Sequence, residues 1–416
     1  MNLLARALPL EGAGRTLALA TLINTTGNGM FYAVSAIYFT QVVGLPAVQV
    51  GLGLTIAAAV GLGVGVPMGH LADVRGPREM LVVLTVLLGV AALGYLFVSG
   101  FAGFVAVALL VTLLDRSSGA ARGALIATVG EPGDRVRLRA YLRAVTNVGI
   151  TVGGLVGALT LAVDRPAVYR GAVALDAATY VGAALVARRL PHVPPSPHTG
   201  EGPRLVALRD RPFLVVTALN AVMALHYGLV DVALPLWVVE RTHAPKWVIG
   251  LLLLANTVTV VLLQVRVSRN VATVEQGATA SWRAGLVLAL ACAVYAASAH
   301  GGPLLAALVL VAGALAQVAG ELLQAAGSWA IGFGLAPQEA QGQYQGLYST
   351  GFAASNMLAP AVLTALVVGG GAPGWLVLGA VFTAAGLAMV PATRWALGTA
   401  PSGALVRSAV AQAQSA

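Results

Sequence analysis

The chain has 416 residues, of which 58% are hydrophobic and only 9% charged, with a formal net charge of +9 and a mean hydropathy of +0.86. Water-soluble domains carry about a quarter charged residues, so a soluble enzyme is excluded, and the positive balance does not denote a nucleic-acid binder because no basic patch or stripe accompanies it. The sole cysteine, Cys292, sits in an apolar run, which leaves no disulfide and no CxxC metal site.

From the N-terminus, Met1 to Arg15 holds Arg6, Pro9, Glu11 and Arg15 without a small-residue cleavage site and reads as a cytoplasmic lead-in. Apolar runs of about 20 residues, the length that crosses a hydrocarbon core, then recur along the chain. They predict spans at about 16–43, 48–70, 79–99, 102–128, 140–163 and 169–187, then at about 212–239, 248–265, 284–299, 304–331, 346–368 and 375–393. The expectation is an all-α polytopic membrane protein of twelve transmembrane helices, with the lipid bilayer as its main solvent. Eighteen arginines fall in connections on one side, whereas Arg165, Arg170, Arg241 and Lys246 fall on the other. By the positive-inside rule both termini are cytoplasmic. Lys246 is the only lysine, and the bias toward Arg, Ala, Gly and Val points to a bacterial inner (cell) membrane.

Residues 191–210, PHVPPSPHTGEGPRLVALRD, mix proline, glycine and charge as a linker does. They divide residues 1–190, an N-terminal six-helix bundle, from residues 211–416, a C-terminal six-helix bundle with a short cytoplasmic tail. The halves echo each other: Asn24 and Asn220 lie in the first span of each, and Pro46/Gly51 match Pro245/Gly250. Internal symmetry between helical halves marks secondary transporters whose site lies at the repeat interface.

Four segments carry recognisable patterns. After the second span the chain reads Gly69-His70-Leu71-Ala72-Asp73-Val74-Arg75-Gly76-Pro77-Arg78. The fourth span holds Leu113-Leu114-Asp115-Arg116-Ser117-Ser118-Gly119. The fifth holds Gly149, Gly153 and Gly157 at intervals of four. Before the eleventh stands Ala336-Pro337-Gln338-Glu339-Ala340-Gln341-Gly342, continuing to Gly346. The first segment resembles the loop 2–3 signature of the major facilitator superfamily, G-x-L-a-D-r-x-G-x-R/K, with Gly69, Leu71, Asp73, Gly76 and Arg78 in place, and Val74 and Pro77 as departures. The second is similar to the l-x-x-R-x-x-x-G pattern of proton-coupled members. The third resembles the antiporter signature of the fifth helix, with Gly154 where that signature has proline. The last resembles the A-P-x-x-x-R-G-x-x-x-G loop, with Gln341 replacing the basic residue.

This resemblance, to the bacterial drug/proton antiporter branch, implies a monomeric exporter of small organic molecules working by alternating access, with small-molecule substrate and protons as partners and no cofactor or metal. It implies that Gly69, Asp73, Gly76 and Arg78 form a conformational signature in which the aspartate meets the start of the eleventh helix and stabilises an outward-facing state. Gly149, Gly153 and Gly157 would allow close helix approach.

Charges inside the spans are expensive, roughly 2.5–3.5 kcal/mol each on insertion scales, and mark function by default. Asp115, Arg116, Asp231 and Glu321 are the proton-coupling candidates, since burial favours the neutral form of a carboxylic acid. The half-repeat places Glu321 close to the position equivalent to Arg116. Asp176 reads as interfacial, near the outer end of the sixth span. Asn24, Asn28 and Tyr32 recur every four residues as one polar stripe, and with Asn147, His226, Gln317 and Gln324 they are the candidate substrate-cavity residues. Interhelical hydrogen bonding is the other role open to each of these polar side chains. No HExxH, GxSxG or P-loop is present, which argues against an enzyme. Two other readings use the same fold: a proton-coupled importer of a nutrient or organic ion, and a non-transporting membrane receptor or scaffold.

Overall fold

A computed structural model describes residues 12–128, 132–195 and 205–399. Most of the expected lead-in, residues 196–204 of the linker and the C-terminal tail lie outside the described residues. Helices account for nearly all the ordered structure: α1 (Ala13–Ile37), α2 (Ala47–Gly61), α3 (Gly65–Arg75), α4 (Pro77–Leu93), α5 (Phe101–Ala127), α6 (Pro132–Val163) and α7 (Pro166–Ala187). After the linker come α8 (Arg211–Ala224), α9 (Leu234–Arg241), α10 (Trp247–Ser268), α11 (Val274–Ala297), α12 (Pro303–Gly334), α13 (Gln341–Leu363) and α14 (Gly371–Thr399).

Among the described residues, ten helices are long and apolar enough to cross a membrane, or eleven when α2 and α3, bent by 52°, count as one. The bend falls at Leu62–Val64, between Gly61, Gly63 and Gly65, where little side-chain packing holds the helix straight, and Pro67 lacks the N–H that would bond back across it. Helix α1 spans 25 residues but is diluted by Asn24, Thr25, Thr26 and Asn28, which is why it falls outside that count. The large apolar side chains left outside, among them Leu155, Leu159, Leu262, Leu304 and Leu308, have lipid rather than water to meet.

Several helices begin earlier than hydrophobicity alone suggests. The expected ninth span starts at about 284, yet α11 starts at Val274, because Thr273 and Gln276 close a capping box that satisfies the first-turn N–H groups ahead of the apolar run. Helix α6 likewise starts at Pro132 rather than at about 140, carrying its arginine-rich turns as helix. The seventh span, Arg211–Arg241, is continuous but locally irregular. Helix α8 ends at Ala224, a tight turn through His226 follows, and Leu229–Ala233 forms a π-helical turn before α9. A second π turn, Thr364–Gly369, ends α13 beyond Pro360.

The chain divides into two compact units. The first holds residues 12–128, 141–195 and 341–346, and the second holds 132–140, 205–340 and 347–399. In the first, Tyr38, Phe39, Tyr95 and Phe104 form an aromatic core, fastened by the Tyr38 hydroxyl donating to the Tyr95 carbonyl at 3.0 Å. The second is built on Trp237, Tyr295 and Trp375, with the Trp237 indole N–H donating to Ser298 Oγ at 2.9 Å and Cys292 fully buried beside them. The sequence echo has a local structural basis. Pro46 caps α2, and Pro245 stands two residues ahead of α10.

Candidate functional site

Within the first unit, the loop 2–3 signature closes on the start of α13. Asp73, at the end of α3 and 4% exposed, accepts from the Gly342 N–H at 2.7 Å through Oδ1 and from the Gln343 N–H at 3.1 Å through Oδ2. These N–H groups have no partner inside their own helix, and the positive end of the helix dipole faces the carboxylate. Glycine is required at this contact. A Cβ on Gly69 would strike the Gly342 carbonyl, one on Gly342 would strike the Gly69 carbonyl, and one on Gly346 would strike the Gly65 carbonyl, so α3 and α13 meet backbone to backbone. Gln343 Nε2 and His70 Nδ1 lie 3.0 Å apart at the same place. Gly76 has φ of +92°, which a side chain would strain. Arg78 reaches Glu79 at 2.8 Å and donates to the Arg188 carbonyl.

The polar stripe of α1 also lies in this unit. Asn24 and Asn28 are half-buried, each with a buried Oδ1 that no donor meets, and Tyr32 is 64% exposed. Asn24 lines a cavity of about 30 Å³ with Thr21, Thr85, Ser118 and Arg122, room for about one water. Tyr32 lies within electrostatic reach of Asp115, Arg116 and Asp176. Asp115 and Arg116, though adjacent, form no ion pair: successive helical residues diverge by about 100°, and Asp115 is exposed while Arg116 is half-buried. The expected placement of Asp176 is also corrected. It occupies the middle of the 22-residue α7 and is 3% exposed.

Helix α6 packs on α1 through the glycines that the sequence singles out. A Cβ at Gly149 would strike Thr25 Oγ1, one at Gly153 would lie 2.8 Å from the Met30 nitrogen, and one at Gly157 would meet Ala33, whereas one at Gly154 would meet nothing within 4 Å. The departure from proline therefore falls on the outer face. Asn147 is half-buried one turn ahead, and its carbonyl accepts from Thr151.

The second unit holds a polar seam on α12. Gln317, Glu321, Gln324 and Ser328 recur at intervals of four, three and four, one face of a helix. Gln317 Oε1 accepts from the Tyr295 hydroxyl of α11 at 2.8 Å, Glu321 Oε2 from Asn256 Nδ2 of α10 at 3.0 Å, and Gln324 Nε2 donates to Asn220 Oδ1 of α8 at 2.9 Å. Gln317 and Gln324 are buried, and each ties α12 to a neighbouring helix through one end of its amide, while Gln317 Nε2 and Gln324 Oε1 meet no partner among the described residues. His226 is fully buried as well, its Nδ1–H donating to the Met223 carbonyl at 2.7 Å and its ring against Tyr227. Asp231 projects from the π turn, exposed and within electrostatic reach of Glu321, which is 3% exposed. Asn256 and Tyr295 escape a reading of charges alone. The signal for Asn256 is a lone amide in the run LLLLANTVTVVLL, where a polar residue needs a partner. No cluster of metal-ligating side chains exists among the described residues.

Residues 17–360 match the model of the Major Facilitator Superfamily, and the chain belongs to that family. Among curated proteins none matches the sequence significantly. The fold is similar to the crystal structure of the human organic anion transporter MFSD10 (TETRAN), at 15% identity over 91% of this chain and 98% of that one, with a TM-score of 0.68. It is also similar to a bacterial homologue of the iron transporter ferroportin in an outward-facing state, at 14% identity over 93% and 99% of the two chains, with a TM-score of 0.70. The chain is thus a multi-pass membrane protein with a transporter fold, which points away from an enzyme.

Proposed function

We propose that the protein is a secondary active transporter that exports small organic molecules, drugs or secondary metabolites, by proton antiport with alternating access. The observation that carries the reading is the pair of carboxylates in the second unit: Glu321, buried and served by Asn256, and Asp231, exposed on a π turn within its electrostatic reach. A π turn inside a helix is frequent at functional sites, and a buried acid beside an exposed one offers a route for a proton between water and the protein interior. Asp115 and Arg116 are the corresponding charged groups of the first unit, and an organic anion has a partner in Arg116. The close packing of α6 on α1 through Gly149, Gly153 and Gly157 supports export, as in the antiporters that the sequence resembles.

In this reading α1 crosses the bilayer despite its amides, which gives twelve spans, two six-helix bundles at 1–190 and 211–416, cytoplasmic termini, and a monomer in a bacterial inner membrane. The test is proton movement in everted vesicles energised by respiration while a panel of amphipathic drugs and metabolites is added. Substrate-induced collapse of the pH gradient with wild type, absent in Glu321→Gln and Asp231→Asn that remain in the membrane, is the expected result. Full coupling in both variants would sink the assignment.

A further inference from the structure

Asp176 is the one carboxylate in the interior of the first unit that neither the loop 2–3 contact nor the exposed Asp115 accounts for. Its Oδ1 is buried and has no hydrogen-bond donor. The hydroxyl of Thr179 is already committed, since its Oγ1 donates at 2.7 Å to the backbone carbonyl of Asp176 and not to its side chain. On the facing helix the carboxylate lies against Gly27, where an added Cβ would strike Thr179 Oγ1 and sit 2.7 Å from Asp176 Oδ1, so the absence of a side chain at Gly27 makes the space that both side chains occupy. The titratable and charged groups around it are Tyr32 of α1, Tyr95 of the turn after α4, Tyr180 of its own helix, and Asp115 and Arg116 of α5. Arg116 is the only cation in this set, and it makes no ion pair with Asp176.

An ionised carboxylate in such a place, with an oxygen that neither water nor a donor reaches, is costly unless something neutralises it. Sodium needs a shell of oxygens; at the Gly27 face Thr179 Oγ1 accompanies the carboxylate, but it is committed to the Asp176 backbone carbonyl. The remaining way to satisfy the group is a proton, which converts an orphaned acceptor into a donor. We propose that Asp176 is a second proton-binding carboxylate, located in the first unit and separate from the Asp231 and Glu321 pair. The proton arrives from water, adds to a carboxylate oxygen and leaves by the same route, with no other bond made or broken. For its place in a transport cycle the assignment rests on the antiport reading, but proton binding itself does not.

The experiment is infrared difference spectroscopy of the full-length protein in lipid, titrated with pH in sodium-free and sodium-containing buffer. Wild type is expected to show the C=O stretch of a protonated carboxylic acid that moves on labelling aspartate with heavy carbon, vanishes in Asp176→Asn, shifts in Asp176→Glu and persists in Glu321→Gln. The isotope arm needs no mutation and so does not depend on the variants folding. No label-sensitive band, a band that survives in Asp176→Asn, or one abolished by sodium at constant pH would each overturn the proposal. Failure of vesicle transport with the band present would count against antiport alone.

Discussion

The carboxylate of Asp73 and the backbone N–H of Gly342 stand 269 positions apart in the chain and are joined by a 2.7 Å hydrogen bond. One short side chain thus serves two backbone donors at the start of α13, with the helix dipole adding to each bond. Hydrogen bonds involving a charged group are worth about 1.5–3 kcal/mol each.

Asp73→Asn keeps the shape but removes the charge and one of the two acceptors. Transport is expected to fall at least about tenfold, the equivalent of about 1.4 kcal/mol, with the amount of protein in the membrane unchanged. Vesicle transport normalised to immunoblot measures it, and wild-type activity would contradict the role assigned to Asp73.

Gly69→Ala and Gly342→Ala test the backbone contact. Each Cβ would enter occupied space, backbone for Gly69 and both backbone and Asp73 for Gly342, whereas Gly119, with nothing within 4 Å, is the matched control. Both contact variants are expected to lose transport while Gly119→Ala retains it. Equal activity in all three would show that the approach is not tight.

Two adjacent glycines on α6 should respond in opposite ways. Gly153→Ala forces a methyl against the Met30 nitrogen and should lower stability by about 1–3 kcal/mol, the usual cost of overpacking. Gly154→Ala should leave stability unchanged or raise it slightly, by removing glycine's conformational freedom from a helix. Thermal unfolding of the two purified variants in the same detergent decides between them.

The Tyr295–Gln317 pair invites a double-mutant cycle. Tyr295→Phe leaves a buried amide oxygen without its donor, and Gln317→Leu leaves a buried hydroxyl without its acceptor, at about 1–3 kcal/mol each. Combining the two removes both polar groups and should recover much of the loss. Strict additivity in the melting temperatures would mean that the 2.8 Å contact contributes no coupling.

Membrane class was legible in sequence because apolar run length, a local rule, identifies a span. The loop 2–3 contact was legible only through the family resemblance, since glycines around Asp73 describe a tight turn but not a partner 269 positions away. Helix starts were less legible: Thr273 and Gln276 extend α11 ten residues ahead of its apolar run through side-chain hydrogen bonds that hydropathy does not register. The cavity residues divided for a different reason. A polar residue in a span must be satisfied, but its partner is not written in the sequence, and so Gln317 and Gln324, tied to Tyr295 and Asn220 on other helices, and His226, tied to the Met223 carbonyl three residues back, look the same in sequence as the exposed Tyr32. Asp176 was misplaced because a lone aspartate in an apolar run does not show its depth; it is the eleventh of the 22 residues of α7 and buried.

The burial of Cys292 has a practical side. The only thiol in the chain is fully enclosed among Ala284, Leu288, Ala291 and Tyr295, out of reach of polar maleimides. Wild type is therefore already a silent background for single-site labelling, and a cysteine introduced in place of exposed Tyr32 or Asp231 would report alone, with no native cysteine to remove first.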